Sequence, residues 1–373
     1  MMVSRDLLGL AFVAILCLAI SPFYKTIASQ KLQTTTDIVP VSKVPTAIRK
    51  ASKPKTIVFL SDSFLPVTFA GSELSGYETI RYMRSKGHTV IIFLTVLKVD
   101  HYDGFPIYKF DLKDPFCKNT IRDADAIFYQ MDSDPLKFDT LQERKGHTYL
   151  FIHVVSSYVW LLQNKVNFPI TVVYNSEMTK NLIPSFYDSM TMIPYVDTAK
   201  FKPLRSLTIE NNVVCLINCN PNKGGILFKD LARSMPDVQF LGVKGGYANQ
   251  ITEDSLPNLT YIETQKDIRV VFKKIGILLM PSKNETWGRT AVEAMASGVP
   301  VIHSESAGLI ECCGGAGITC MRNDLDAWAE AIRRIIREPG YRQRLRENGF
   351  KRVEEITMLQ DEQREELAVR VEQ

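Results

Sequence analysis

The feature that most constrains this chain is an alternation of short apolar strands and helices that runs twice through the sequence after residue 55. The run Thr56–Asp62 is rich in β-branched and aromatic residues, and helical sequence follows from Glu73 to Lys86, where Gly87 ends it. A second apolar run, His88–Leu94, closes a β-α-β unit. Apolar runs that end in polar residues are typical of buried parallel strands. The pattern predicts an α/β fold with a Rossmann-like parallel sheet.

The other predicted elements form two sets of similar size. In the first set, further strands are predicted at Ala126–Tyr129, Tyr149–Val154 and Ile170–Tyr174. In the second set, strands are predicted at Val213–Ile217, Gln239–Val243, Leu259–Ile262, Ile275–Met280 and Pro300–His303, with helices at Leu227–Met235, Asp267–Lys274 and Thr290–Ser297. Two such halves predict two Rossmann-like domains that face each other across a cleft between the carboxyl edges of their sheets.

The chain of 373 residues is long enough for two packed domains. We divide it into a hydrophobic segment (1–30), a basic stem (31–55), an N-terminal domain (56–203), a C-terminal domain (204–340) and a helical tail (341–373). With 45% hydrophobic and 23% charged residues, the composition excludes a disordered chain, and the net charge of +4 gives no indication of nucleic-acid binding. The seven cysteines form neither a disulfide framework nor paired CxxC motifs for zinc.

The segment from Leu7 to Ile20 is apolar throughout except for Gly9, and Lys25 follows it. Its length is near the lower limit of a membrane-spanning helix, which needs about 17–25 residues. We expect an uncleaved N-terminal anchor; the alternative is a signal peptide cleaved after the small-residue site at 26–28. Residues 31–55 carry six cations against the single acid Asp37, as expected for a solvated linker or for a stem that lies on an anionic membrane surface.

The most informative motif runs from Met280 to Ile310, MPSKNETWGRTAVEAMASGVPVIHSESAGLI. A strand ends near Pro281, a loop carries Glu285 and Gly288, and a helix starts near Arg289. Backbone N–H groups at that helix start form an anion site, to which Arg289 and Thr290 contribute. Glu293 follows Glu285 by eight residues, so both carboxylates can accept hydrogen bonds from sugar hydroxyls beside that site.

The pattern of Glu285, Trp287, Gly288, Glu293, Gly298 and Pro300 resembles the signature of glycosyltransferase family 4. The resemblance covers most of the chain after residue 56. It implies the GT-B fold and a retaining transfer of a sugar from a nucleotide-sugar donor. Trp287 stands where the family more often has Phe. Within that scheme, Glu293 is expected to bind the ribose hydroxyls and Glu285 the donor sugar.

The resemblance assigns roles to residues in both halves. Gly71, in a loop where Ala70 replaces a common glycine, is expected to let the backbone approach the diphosphate before a helix. Lys223 is expected to neutralise the diphosphate and stabilise the leaving nucleotide. Asn218 stands where the family usually has an Arg, so Arg289, Lys244 or the helix dipole would have to replace that cation. An ordinary strand-to-helix turn is the alternative for the Gly71 loop.

Two further residues complete the predicted site. His153, at the end of a strand, matches a family histidine that reaches the transferred sugar, although histidines at such positions are often structural. Gly308, with Glu311, resembles a family segment whose backbone approaches the donor sugar. We therefore expect catalytic roles for Glu285, Lys223 and His153, and substrate-binding roles for Gly71, Glu293, Gly288, Arg289, Thr290, Gly308, Asn218 and Lys244.

The predicted enzyme uses the nucleotide sugar as a co-substrate, with no other cofactor and no metal. Segments that begin at Asp62 and Asp132 only superficially resemble a metal-binding DxD motif. Two alternatives remain: a catalytically silent nucleotide-sugar-binding scaffold, favoured by Asn218 and Ala70, and a nucleotide-sugar epimerase of the same architecture. Expected partners are the donor, a carbohydrate or lipid-linked acceptor, and a membrane through the N-terminal segment.

The sequence also predicts on which side of the membrane the folded body lies. Asn258 and Asn284 both begin glycosylation sequons. A glycan on Asn284 would stand beside Glu285 and obstruct the cleft. Together with the cations that follow the hydrophobic segment, this predicts a body that faces the cytosol.

Overall fold

The computed structural model describes residues 50–130, 144, 146–153, 166–183, 185–202, 211–246 and 248–373, all within the compact unit Lys50–Gln373. Four predicted features lie outside these residues: the hydrophobic segment, most of the basic stem, the segment that begins at Asp132 and the domain boundary at residue 203. Within them, no helix combines the length and the apolar character that crossing a membrane requires.

The first domain is built on a sheet of eight strands in the order β3-β4-β2-β1-β5-β6-β7-β8, in which only the β3–β4 pair is antiparallel. Its strands are β1 (Thr56–Ser61), β2 (Thr89–Leu94), β3 (His101–Tyr102), β4 (Phe105–Lys109), β5 (Ala126–Gln130), β6 (His147–Ile152), β7 (Ile170–Tyr174) and β8 (Asp188–Thr191). Helices α1 (Gly71–Lys86), α2 (Pro115–Asp123) and α3 (Glu177–Leu182) accompany them. The central strands are buried on both faces because separate apolar clusters cover the two sides of the sheet.

The second domain has a parallel sheet of six strands in the order β11-β10-β9-β12-β13-β14. Its strands are β9 (Val214–Ile217), β10 (Phe240–Val243), β11 (Leu259–Ile262), β12 (Ile277–Met280), β13 (Val301–Ser304) and β14 (Ile318–Cys320). Its helices are α4 (Gly225–Ser234), α5 (Arg269–Phe272), α6 (Arg289–Ala296), α7 (Ala307–Cys313), α8 (Leu325–Arg337) and α9 (Pro339–Glu372), with short 3-10 turns at Thr198–Phe201 and Pro221–Lys223. The predicted α/β class with two parallel-sheet domains is confirmed.

The final helix, α9, packs on both domains. Val353 and Ile356 belong to the core of the second domain, whereas Leu367 and Val371 belong to the core beneath the first sheet. Between these contacts, the buried amide of Gln360 accepts from the Val196 backbone N–H at 3.0 Å and donates to the carbonyl of the same residue at 2.8 Å. The C-terminal residues therefore join the two domains by apolar packing and by two hydrogen bonds from the Gln360 side chain to the Val196 backbone.

Several loops follow the carboxyl ends of parallel strands, and those that begin at His153, Asn218 and Pro281 were predicted to be functional. His153 directly follows β6 and Asn175 follows β7 in the first domain, while Asn218 follows β9 and Pro281 follows β12 in the second. In open α/β sheets, ligands bind outside this edge of the sheet.

Candidate functional site

A short, capped turn in the loop after β9 fixes the position of Lys223. Asn220 caps the 3-10 turn, because its side-chain oxygen accepts from the Lys223 backbone N–H at 2.9 Å. Gly224 follows with a φ of 95°, and a Cβ at this position would lie 2.3 Å from Pro281. A glycine is thus required twice over, for the left-handed backbone and for the close approach of the loop after β12. Lys223 is held next to that loop.

Lys223 and Glu285 form the central contact of the site. The Lys223 ammonium nitrogen lies 2.5 Å from Glu285 Oε2, to which the Ser282 hydroxyl also donates at 3.1 Å. Both side chains are mostly but not completely buried, with exposed fractions of 26% and 17%. Partial burial strengthens an ion pair relative to a surface pair while leaving both groups accessible to a ligand.

Glu293 lies in the middle of α6 and is nearly buried. Arg289, one turn earlier, donates from Nε to Glu293 Oε1 at 2.9 Å and from its guanidinium to the Tyr195 carbonyl of the interdomain connection. Burial raises the pKa of Glu293, and the Arg289 charge partly offsets that shift. Thr290 lies in the first turn of the same helix and is half-buried. Arg289 is one of the groups expected to replace the cation that is missing at position 218. Its guanidinium already binds Glu293, and this contact competes with that role.

Two glycines set the distance between the Glu285 loop and the segment that contains α7. Gly288 has a φ of 133°, and a Cβ on it would lie 2.7 Å from Leu309. At Gly308, a Cβ would lie 2.2 Å from the Glu285 carbonyl oxygen. The Glu285 backbone N–H also donates to the Ser306 hydroxyl at 2.9 Å. In this structure Gly308 therefore positions the Glu285 loop by close packing.

Asn218 and Lys244 have partners of their own. Asn218 has a φ of 68°, and its side-chain oxygen accepts from Asn220 at 2.9 Å and from Gln250 at 3.1 Å. Lys244 pairs with Glu263 at 2.7 Å, and this carboxylate raises the pKa of Lys244. These partners differ from Lys223 and Glu285.

His153 is half-buried and directly follows β6. Its Nε2 lies 3.1 Å from Oε1 of Gln130, a fully buried residue whose amide nitrogen faces the Ser72 carbonyl at 3.5 Å. Because a carbonyl only accepts, the Gln130 NH₂ group points to Ser72, which leaves Oε1 for His153 and assigns the histidine proton to Nε2. Burial lowers the pKa of His153 to about 4. The imidazole is therefore neutral at physiological pH.

Gly71 is the first residue of α1, two positions before the predicted helix start. Apart from its chain neighbours and the backbone of its own helix, no heavy atom of the described residues lies within 4 Å of the position that its Cβ would occupy. Two residues later, Glu73 is buried and accepts from the hydroxyls of Ser63 and Ser72, both at 2.8 Å. The space beside Gly71 is thus open to a ligand, whereas Glu73 serves the loop itself.

Direct contacts thus join Lys223 to Glu285, Arg289 to Glu293 and Gly308 to the Glu285 backbone. Among the described residues, no group of three or more His, Cys, Asp or Glu side chains is arranged to hold a metal ion.

Sequence reasoning missed several residues that support the site. Arg322 donates to the carbonyls of Pro281 and Pro221 at 2.9 and 2.8 Å and so ties together the loops of Glu285 and Lys223. Thr286 donates to the His153 carbonyl at 2.9 Å across the two domains. Thr286 lies inside the quoted motif, but an isolated Arg at 322 carried no signal because its partners are backbone atoms distant in sequence.

Comparisons with known proteins agree with this architecture. Residues 245–352 match the family model of Glycosyl transferases group 1. Over 100 residues, 26% of each chain, this protein is 31% identical to the capsular polysaccharide biosynthesis glycosyltransferase CapM of Staphylococcus aureus. Over 84 residues it is 34% identical to the D-inositol 3-phosphate glycosyltransferase of Streptomyces bingchenggensis, covering 22% of this chain and 18% of that protein. The chain therefore spans about a quarter or less of the length of these curated relatives.

Solved structures match over a much larger part of the chain. HepE of Anabaena, crystallised in complex with UDP-glucose, superposes with a TM-score of 0.69 at 18% identity, covering 84% of this chain and all of that one. The glycosyltransferase WaaG, involved in lipopolysaccharide biosynthesis, superposes with a TM-score of 0.64 at 13% identity, covering 84% and 99%. The two-domain fold is that of GT-B glycosyltransferases.

Proposed function

We propose that this protein is a retaining GT-B glycosyltransferase that transfers a sugar from a nucleotide sugar to a hydroxyl group of a glycan or lipid-linked acceptor. The observation that carries the proposal is the Lys223–Glu285 pair at 2.5 Å. It joins the loops after β9 and β12, two neighbouring strands of the sheet, at the edge where α/β folds bind ligands. A partly exposed cation beside a partly exposed carboxylate can bind a phosphate and a sugar hydroxyl side by side.

In the proposed mechanism, the bond between the sugar C1 and the leaving phosphate oxygen breaks while a bond from C1 to the acceptor oxygen forms on the same face. The proton of the acceptor hydroxyl moves to the departing phosphate. Lys223 and the backbone N–H groups at the start of α6, after Gly288, stabilise the charge that develops on that phosphate. No carboxylate nucleophile and no metal is needed in this scheme.

Within the same proposal, we assign roles to the remaining residues. Glu293, oriented by Arg289, binds the ribose hydroxyls, and Glu285 binds the donor sugar. The open space beside Gly71 admits the phosphate portion, and His153, as a neutral imidazole with its proton on Nε2, lies on the acceptor side. Lys244 and Asn218 would line the nucleotide end of the site.

We further propose that the apolar segment 7–20 attaches the protein to a membrane, with the enzyme body on the cytosolic side. Such an attachment would favour acceptors that are themselves membrane-bound. An enzyme that prefers soluble sugars to lipid-linked acceptors in a transfer assay would contradict this part of the proposal.

The test is a thermal-shift screen of the full chain against UDP-, GDP-, ADP- and CMP-sugars. We expect the unfolding midpoint to rise with one nucleotide class and the rise to be lost in Glu293→Ala, because a ligand that binds only the folded state stabilises it. Glu330→Ala, at an exposed position on α8, is the matched control and should retain the full shift. A folded protein that responds to none of these donors would refute the proposal.

A catalytically silent nucleotide-sugar-binding protein is the second candidate. Asn218 favours this candidate. Its amide oxygen accepts hydrogen bonds from Asn220 and Gln250, at the position where the family that the sequence resembles usually has an Arg. Such a protein would give the thermal shift without releasing nucleotide in the presence of any acceptor. Nucleotide release therefore separates the two candidates.

A further inference from the structure

We propose that Thr286 is a positioning residue that joins the donor-side loop to the acceptor-side domain, and that the transfer step depends on this junction. The inference rests on the proposed function and concerns four residues of the first domain, Asn175–Met178, here called the clasp segment. It directly follows β7 and begins α3.

The Thr286 hydroxyl bridges two atoms of the first domain. It donates to the His153 carbonyl oxygen at 2.9 Å and accepts from Asn175 Nδ2 at 2.8 Å. The same Asn175 nitrogen also lies 3.3 Å from the His153 carbonyl. One hydroxyl therefore uses its proton and a lone pair to connect the residue next to Glu285 with the ends of two strands in the other domain.

The orientation of the Asn175 amide is determined by a separate bond. Asn175 is buried, and its Oδ1 accepts from the Thr179 hydroxyl at 2.9 Å. The nitrogen must then face Thr286 and His153, as required for a donor to both oxygens. In this group of three residues, Asn175, Thr286 and His153, every hydrogen bond therefore joins a donor to an acceptor.

A second side chain of the C-terminal domain also binds the clasp segment. Glu311 on α7 accepts from the backbone N–H groups of Glu177 and Met178 at 3.0 and 2.8 Å. Those N–H groups belong to the first turn of α3 and have no acceptor within their own helix. A half-buried carboxylate therefore caps a helix of the other domain, less than 3 Å from one of its donors.

Both contacts arise from the loops that hold Glu285. Thr286 is its neighbour in sequence, and α7 carries Gly308, which packs on the Glu285 carbonyl. When the clasp segment is held, the Glu285 loop has a defined position relative to β6 and His153. When it is released, the donor site stays assembled within the C-terminal domain, but its alignment with the acceptor side is lost.

The test compares Thr286→Val, which removes the hydroxyl and keeps the shape, with Thr286→Ser, which keeps the hydroxyl. We expect Thr286→Val to lower kcat about tenfold to thirtyfold, corresponding to two lost hydrogen bonds, while the Kd for the donor changes less than about twofold. Thr286→Ser should restore kcat to within about twofold of the wild type. Thr260→Val, at an exposed strand position of the same domain, is the matched control and should leave both constants unchanged.

Hydrogen exchange gives a readout that does not require activity. We expect the amides of Glu177 and Met178 to exchange faster in Thr286→Val and in Glu311→Gln, in which one of the two acceptor oxygens is replaced by an NH₂ group. Glu330→Gln serves as the control. If Thr286→Val does not fold, Glu311→Gln provides the same kcat and exchange measurements.

The outcomes separate this inference from the proposed function. A wild type that transfers sugar, with a Thr286→Val variant that keeps kcat within twofold or loses donor affinity as much as kcat, would overturn the inference alone. A wild type that binds no nucleotide sugar would overturn the proposed function. In that case, unchanged exchange at Glu177 and Met178 in both variants would overturn the clasp as well.

Discussion

The Lys223 ammonium lies 2.5 Å from the Glu285 carboxylate, although 62 residues separate them in sequence. The first residue follows β9 and the second follows β12, and these strands are neighbours in the sheet. Parallel pairing thus brings both loops to one edge, and Arg322 holds them together through two backbone carbonyls.

This pair leads to the first prediction. Replacing Lys223 by Met should reduce the transfer rate about 100-fold, because an ammonium that stabilises a leaving phosphate acts mainly in the transition state. Steady-state nucleotide release measures the effect, and Lys351→Met, at an exposed position on α9, is the control. Transfer by Lys223→Met within twofold of the wild type would remove Lys223 from the mechanism.

The buried carboxyl of Glu293 predicts how stability varies with pH. Its raised pKa means that the folded state holds this proton more strongly than the unfolded state does. Its contribution is therefore greatest at low pH and is lost as pH rises from the ordinary carboxyl value of 4.5 through the raised pKa. Urea unfolding should show wild type losing stability relative to Glu293→Gln over that window. A constant difference between the two proteins from pH 4 to pH 8 would contradict it.

Two glycines of the site should respond oppositely to alanine. Gly308→Ala should cost about 1–3 kcal/mol of unfolding free energy, because the new methyl group would overlap the Glu285 carbonyl. Gly71→Ala should leave stability unchanged or raise it by up to about 1 kcal/mol, since space is open there and alanine favours a helix. Urea denaturation measures both. Equal stability of Gly308→Ala and wild type would show that the loop moves freely.

The two sequon asparagines should also differ. Asn258 is buried, and its Nδ2, which carries two donor protons, lies 2.9 Å from each of the carbonyl oxygens of Ala232, Met235 and Val238. Asn258→Ala should therefore destabilise the fold by about 2–4 kcal/mol. Asn284→Ala, at an exposed position, should change stability by less than about 0.5 kcal/mol. Thermal unfolding tests this difference. If the protein were secreted through a glycosylating compartment, only Asn284 should carry a glycan on the folded chain.

Metal independence is testable directly. If the leaving phosphate is stabilised by Lys223 and the start of α6, transfer by protein dialysed against EDTA should stay within about twofold of the untreated rate. Adding back Mg²⁺ or Mn²⁺ is the control. A loss of activity that either ion restores would show that the mechanism needs a metal.

Much of the fold was predictable because buried parallel strands appear in the sequence as short apolar runs. The runs at Ile170–Tyr174 and Leu259–Ile262 coincide with β7 and β11 to the residue. Strands β3 and β4, at one side of the first sheet, and the edge strands β8 and β14 were not predicted. β3 has only two residues, and the other three strands are partly exposed, so none of them gives an apolar run. The predicted helix at Asp267–Lys274 is a single turn, Arg269–Phe272.

The sequence by itself determined the class of fold and the residue types of the candidate site, because strand periodicity and the motif around Glu285 are local properties. Only the tertiary structure decided which groups meet. Arg289 is committed to Glu293, Asn218 to Gln250, and Thr286 to His153 and Asn175. Hydrogen bonds depend on distance and direction in space, and the packing of two sheets and one long helix determines these for residues far apart in the chain.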